Sequence, residues 1–215
     1  MRATRVAILA MAWIAAATGG LAAQTAGLTL SGVFADYREQ ASGLQYKGTG
    51  GSVTGWVARG KFGADVAFTS LSYQPDDPSY ADFKAKQVDA RVRWYLAGGV
   101  SAEVGFTKRT VDPEFEAQSV GAVRAGVRAH YALGPGADIA VRANYLAGAK
   151  FSGGGTSPFG LEMGLGFSVG KTNGRFRLVG EYEFQRFNRT TDNGSGTLKV
   201  PLQQAIARVG VGVGF

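Results

Sequence analysis

The 215-residue chain has no cysteine, a single histidine (His130) and only 6 prolines. Without cysteine there is neither a disulfide framework nor a thiolate metal site. One histidine leaves no His-based metal set to assemble, so no metal and no other cofactor is expected. Beyond the first two dozen residues no apolar run approaches the roughly 20 residues that a membrane-spanning helix requires. Charged residues make up only 18%, and the net charge of +7 comes from basic residues that are scattered along the chain, with Lys108–Arg109 the one adjacent pair. A nucleic-acid partner is therefore not expected. Glycine is abundant, with 33 residues. It lacks the collagen period and is interleaved with β-branched and aromatic residues, so the chain is not disordered by composition.

The opening segment "MRATRVAILAMAWIAAATGGLAAQ" sets Arg2 and Arg5 before an apolar stretch over 6–17 and then small residues. That is the layout of a secretory signal peptide, with cleavage expected after Ala22 or Ala23. The expected organisation is a signal peptide over 1–23 and one domain over 24–215. Removal of the segment leaves 21 basic against 16 acidic residues.

From about Leu28 the chain alternates. In "QVDARVRWYL", Val88, Ala90, Val92, Trp94 and Leu96 share one face, and Gln87, Asp89, Arg91, Arg93 and Tyr95 the other. Period two means strand and excludes helix. The pattern recurs over 100–107, 123–131, 139–145, 161–169, 176–185 and 205–215. Weaker versions lie near 28–38, 50–59 and 62–71. Ten strands are predicted, with eight or twelve left open by the weaker three. Short connections ("ARGKF", "LAGGV", "LGPGA", "GKTNGR") alternate with long ones ("EQASGLQYKG", "YQPDDPSYADFKAK", "TVDPEFEAQ", "AKFSGGGTSPFG", "NRTTDNGSGTLKVP"). Gly, Pro, Asn and Asp mark both kinds.

Alternation alone does not say which face is outside. The aromatic residues do. Trp94, Tyr131, Phe176, Phe62 and Phe215 fall near the short-turn end of the apolar face, and Phe68, Phe106, Tyr145 and Phe184 near the long-loop end. Two aromatic girdles flanking Ala, Val and Leu describe a lipid-facing band. The polar face sets long charged side chains beside glycines, as in Arg177, Glu181 and Glu183 next to Gly164, Gly166, Gly210, Gly212 and Gly214. On a solvated surface those glycines would only weaken the strands. In a narrow interior they make room. The ending "VGVGVGF" then reads as valines toward lipid, glycines inward, and Phe215 as an outward aromatic at the last strand's end.

On these residues the chain resembles the small bacterial outer-membrane β-barrels, the group of the OmpA transmembrane domain and the opacity-type proteins. The likeness is one of pattern and covers about 24–215. It implies an all-β closed antiparallel barrel in the outer membrane, with short periplasmic turns and longer external loops. It also implies that Phe215 serves as the signal read by the barrel assembly machinery. Outer-membrane lipid and lipopolysaccharide are the expected surroundings, and a monomer the expected state.

The inward phase collects Arg59, Arg91, Arg93, Arg124, Arg128, Arg142, Arg177 and Arg208 against Asp65, Asp89, Glu103, Glu162, Glu181 and Glu183. Charges enclosed at low dielectric must pair. Arg59 with Asp65, and Arg93 diagonally with Glu103, are the pairs expected across short turns. Two functions follow. The network fills the barrel, which then serves a structural or surface-interaction role, or it lines a narrow, weakly anion-leaning channel.

An enzyme acting on lipid or peptide is the weaker reading, because one histidine supports no Ser/His/acid set near the loops. His130 reads as an interior hydrogen-bonding residue. Asp76 and Asp77 in "PDDP" could ligate calcium but read as a turn. Glu181 and Glu183 share a face yet stand among arginines. "GGGT" at 153–156 lacks the strand-to-helix setting of a phosphate loop. "NRT" at 188–190 matches a glycosylation triplet but is discounted in a chain of bacterial character. Lys47, Lys84, Lys86, Lys108, Arg109, Lys150, Arg186 and Arg189 gather at the long-loop end, where they are expected to meet lipopolysaccharide phosphate.

Overall fold

A computed structural model describes residues 24–112, 115–171, 175–192, 194 and 196–215. The expected signal peptide over 1–23 lies outside the described residues. The strands are β1 (Gln24–Glu39), β2 (Leu44–Arg59), β3 (Phe62–Pro75), β4 (Phe83–Tyr95), β5 (Val100–Asp112), β6 (Val120–Gly134), β7 (Ala137–Phe151), β8 (Thr156–Ser157), β9 (Gly160–Gly170), β10 (Phe176–Asp192) and β11 (Thr197–Gly214). A single 3-10 turn, Glu116–Gln118, interrupts them among the described residues.

Each long strand pairs antiparallel with its neighbours, and β11 pairs with both β10 and β1. Ten strands thus close into a ring, the number expected. The two-residue β8 is an extra rung between β7 and β10 at the long-loop end. Closure leaves no open edge, which is what a sheet in hydrocarbon needs, since each unpaired backbone group there costs several kcal/mol. Two of the short turns are only two residues long. Residues 60–61 join β2 to β3 with Gly60 at φ 55°, and 135–136 join β6 to β7 with Gly136 at φ 80°. Both lie in the left-handed region that glycine enters freely.

Outward residues alternate with inward ones along every strand. Val92, Val104, Val127, Leu165 and Val209 stand exposed on the outside. Phe62, Trp94, Tyr131, Phe176 and Phe215 are exposed at the short-turn end, and Phe68, Phe106 and Tyr145 toward the other, while Phe184 is only partly exposed. Phe34 and Tyr182 join the outer face.

The strands are longer than the alternation predicts. Pairing of β1 with β2 runs up to Glu39↔Leu44, and of β10 with β11 up to Asp192↔Thr197. Two of the five predicted long loops, 39–48 and 188–201, are therefore mostly strand. Above the lipid band the outer face meets water and loses its apolar residues, so the period-two signal fades while the backbone ladder continues.

Candidate functional site

The barrel interior is stratified, and each layer follows from what the inward phase carries at that height. The middle layer is ionic. Register sets Asp65, Arg91, Gly105 and Arg124 on one rung across β3–β6. Another rung holds Arg128, Arg142, Gly164 and Glu183 across β6, β7, β9 and β10. A third holds Arg93, Glu103, Gly126, Asn144, Glu162 and Gln185. A glycine sits in each rung beside long side chains, and the guanidinium of Arg142 lies over Gly164, where a Cβ would stand 2.6 Å from its Cζ.

Arg91 reaches Asp65 at 3.2 Å, Glu183 at 3.2 Å, Glu162 at 3.6 Å and Glu103 at 3.7 Å. Arg124 donates to Asp89 and, at 2.9 Å, to Glu162 Oε2. Arg142 donates to Glu162 Oε1 at 3.0 Å and pairs with Glu181 and Glu183. Arg208 lies 3.3 Å from Glu183 and 3.5 Å from Glu181. Arg93 holds Asp65 at 3.1 Å. Gln87 donates to Asp89 at 2.9 Å, Asn144 to Glu103 at 2.7 Å, and Gln185 to Glu183 at 2.8 Å. Arg124, Glu162 and Asp89 are fully enclosed. Sharing Asp65, Glu103, Glu162, Glu181 and Glu183 among two or three guanidiniums each, with Asp89 on Arg124 and Gln87, is how charges can be removed from water without an uncompensated one remaining.

The upper layer is aromatic and closes the barrel toward the long loops. Tyr73 stacks on Phe83 with ring centroids 4.6 Å apart, and Tyr46 meets Phe83 edge-on at 4.9 Å. Phe115, from the connection after β5, adds its ring 5.4 Å from Phe83 and 5.5 Å from Tyr46. It does so with φ at 61°, a conformation costly for a residue with a side chain. The Tyr37 hydroxyl donates to Gln118 Oε1 of the same connection. Arg109 stands over Tyr37 at 5.1 Å and Arg189 over Phe151 at 4.8 Å, both within cation–π range. Leu146, Phe187, Leu202 and Ile206 fill the remainder.

The lower layer is hollow. A cavity of about 560 Å³ extends from the ionic layer to the short-turn end, where Thr25, Arg175 and Gly214 border it. It exists because the inward positions there are small, among them Ala140, Gly166 and Gly212. Trp56 lies flat over Gly27, Arg177 pairs with Asp138, and His130 Nε2 is 3.7 Å from Asp138 Oδ1.

Thirteen of the fourteen expected interior charges face inward. Arg59 does not: it is exposed, opposite Phe62 across the two-residue turn. Trp56 takes the inward phase of β2 instead. The glycine-rich run "GGSVTGW" carries too few large side chains to show which phase is inner. Asp65 accordingly pairs with Arg91 and Arg93. Arg93 is directly opposite Glu103, not diagonal, because the turn between Tyr95 and Ser101 is centred on Gly98, and Glu103 is held by Arg128 at 3.2 Å. Arg109 and Arg189, expected among the outer basic residues, are buried inside. Asp138 and Trp56 were not anticipated as interior groups. Asp138 was within reach, since it shares the phase of Ala140 and Arg142.

The remaining candidates have structural surroundings. Asp76 lies 3.2 Å from Lys47. The Ser79 backbone N–H donates to Asp77 Oδ1 at 2.9 Å, which holds that carboxyl below the usual carboxylate range. Arg189 donates to the carbonyls of Gly153 (3.4 Å) and Gly154 (2.7 Å), so the glycine loop is a carbonyl acceptor here. Asn188 accepts from Arg186 at 3.1 Å. Among the described residues no three His, Asp or Glu side chains are arranged to hold a metal ion.

No protein-family model and no curated protein matches the chain. Solved structures do. The outer membrane protease OmpT of Escherichia coli is similar at 9% identity and a TM-score of 0.50, over 89% of this chain and 96% of that one. Neisserial surface protein A is similar at 14% identity and 0.45, over 87% and 96%. The attachment invasion locus protein Ail of Yersinia pestis is similar at 11% and 0.40, over 89% and 98%. The likeness to OmpT shows the fold: this chain has the architecture of a bacterial outer-membrane β-barrel.

Proposed function

We propose that the protein is an integral outer-membrane barrel whose interior is sealed and whose role is structural or interactive at the cell surface. The observation that carries this reading is the stack of two filled layers, the ion-pair layer around Arg91, Arg124 and Arg142 and the aromatic layer around Tyr73 and Phe83. A narrow anion-leaning channel, the other reading of the same arginines, would need a continuous path, and both layers stand across it. In planar bilayers the refolded protein is expected to give no discrete conductance steps. Regular steps, reduced when Arg124 or Arg142 is neutralised, would establish the channel instead. Exchange of residues 76–82 or 152–159 is then expected to change binding at the surface without changing barrel assembly.

Lipopolysaccharide phosphate is the proposed outer partner. Lys84 and Lys86 are exposed on β4, and Lys108 is exposed on the adjoining β5 opposite Val88. They stand just above the apolar band, where basic side chains meet anionic head groups. Charge reversal of all three should lower the lipopolysaccharide that co-purifies. Unchanged retention would remove these residues from the proposal. Barrel assembly machinery, reading Phe215, is proposed as the folding partner, tested by the loss of assembled protein in Phe215→Ala.

A further inference from the structure

The hollow lower layer has the volume of a ligand pocket, which runs from about 300 to 1,000 Å³. Its roof is the ionic layer and its mouth is at the short-turn end, so it is blind: what enters must leave the same way. Its walls differ in chemistry. On β1 and β2 they offer the Trp56 indole with the hydroxyls of Thr29 and Thr54. On β6 and β10, with β7 and β9 between them, they offer Arg128 and Arg177.

Arg128, like Arg93 with its single partner Asp65, is incompletely served by the protein. It lies directly across from Arg142, and that neighbour takes Glu162, Glu181 and Glu183. Arg128 has only Glu103, at 3.2 Å from its Nε, and that carboxylate is also approached by Asn144 and Arg91. Among the described residues Arg128 donates no hydrogen bond to a protein acceptor, and its side chain keeps 17% exposure where it borders the cavity. Arg177 is 31% exposed and shares Asp138 with His130. Guanidinium N–H groups at the edge of a confined space need an acceptor, and a bidentate oxyanion matches their geometry.

We propose that this cavity is a binding site for a small organic anion. Its carboxylate or phosphate is taken by Arg128 with Arg177, and its flat apolar body lies along Trp56. The hydroxyls of Thr29 and Thr54 supply the remaining polar contacts. The ligand reaches the site from the short-turn side and does not cross the barrel.

The test uses the full refolded chain in a neutral detergent, titrated calorimetrically with benzoate, phenyl phosphate and, as a cation of the same shape, benzamidine. Benzoate or phenyl phosphate should bind saturably at one site and benzamidine should not, and the tighter of the two anions identifies the acid group. Arg128→Gln should weaken that binding by about tenfold or more, the loss of one charge-assisted pair. Gly166→Leu keeps the arginines and fills the cavity from a position where an added Cβ meets no atom closer than 3.8 Å. It should abolish binding, with assembly checked by circular dichroism. Equal heats for benzoate and benzamidine, or parental benzoate affinity in a folded Arg128→Gln or Gly166→Leu variant, would overturn the proposal.

Discussion

The guanidinium of Arg142 rests on Gly164, in direct register across β7 and β9, with Glu183 on the far side of that glycine. A side chain at 164 would displace Arg142 from three carboxylates at once. Gly164→Val is expected to destabilise the barrel by about 1–3 kcal/mol, the ordinary range for overpacking a filled interior. Urea unfolding in lipid vesicles measures it. Gly166→Ala, two residues along the same face, has open space beside it and should cost far less.

Removing one member of the ion-pair layer strands the others. Arg124→Leu leaves Asp89 and Glu162 enclosed with one guanidinium fewer, and an expected loss of about 3–5 kcal/mol follows from the uncompensated charge. Adding Asp89→Leu should recover part of it, because Glu162 keeps Arg142 and Arg91. Arg38→Leu, which breaks the exposed pair of Arg38 with Asp36 at 2.9 Å, should produce no measurable loss in the same unfolding assay.

Much of this arrangement was legible in the residues. Lipid forces strict alternation, so strands such as "QVDARVRWYL" and "SAEVGFTKRT" declare both their existence and their phase. That is why thirteen interior charges could be placed without coordinates. Where the lipid ends the constraint ends too. Tyr37, Tyr46, Tyr73 and Phe83 lie on segments whose outer face is polar, and three of the four fall inside stretches that read as loops. Each continues the inward phase of its own strand, and that continuation is the signal that would have revealed the aromatic layer. The same continuation carries Arg109 and Arg189 inside, away from the outer lysines. Side-chain pairing was less legible than phase, because a turn centred one residue earlier, on Gly98, shifts the register by two and moves Arg93 from a diagonal to a direct position against Glu103.

On the proposed sealed reading, the two filled layers act as independent barriers. Tyr73→Ala with Phe83→Ala thins the aromatic layer but leaves the ionic one, so the variant should remain non-conducting in planar bilayers. Adding Arg124→Ala and Glu162→Ala opens the second layer, and conductance steps are expected only then. Conductance from the aromatic pair alone would place the whole barrier in the upper layer.

The lipid face obeys the opposite rule. Val104→Arg, in the middle of the apolar band, should cost about 2–4 kcal/mol, the penalty for a cation near the bilayer midplane. Thr110→Arg, farther along β5 and exposed above Phe106, should be nearly neutral in the same assay.

Sidedness is best measured directly on β5. The chain has no cysteine, so single-cysteine variants over 100–107 accept a spin label at one position each. In reconstituted vesicles, relaxation by oxygen should peak at Ala102, Val104 and Phe106 and fall at Ser101, Glu103, Gly105 and Thr107. Peaks from a water-soluble relaxant at Ala102, Val104 and Phe106 would mean that valines and aromatics do not face acyl chains, and the account would be wrong.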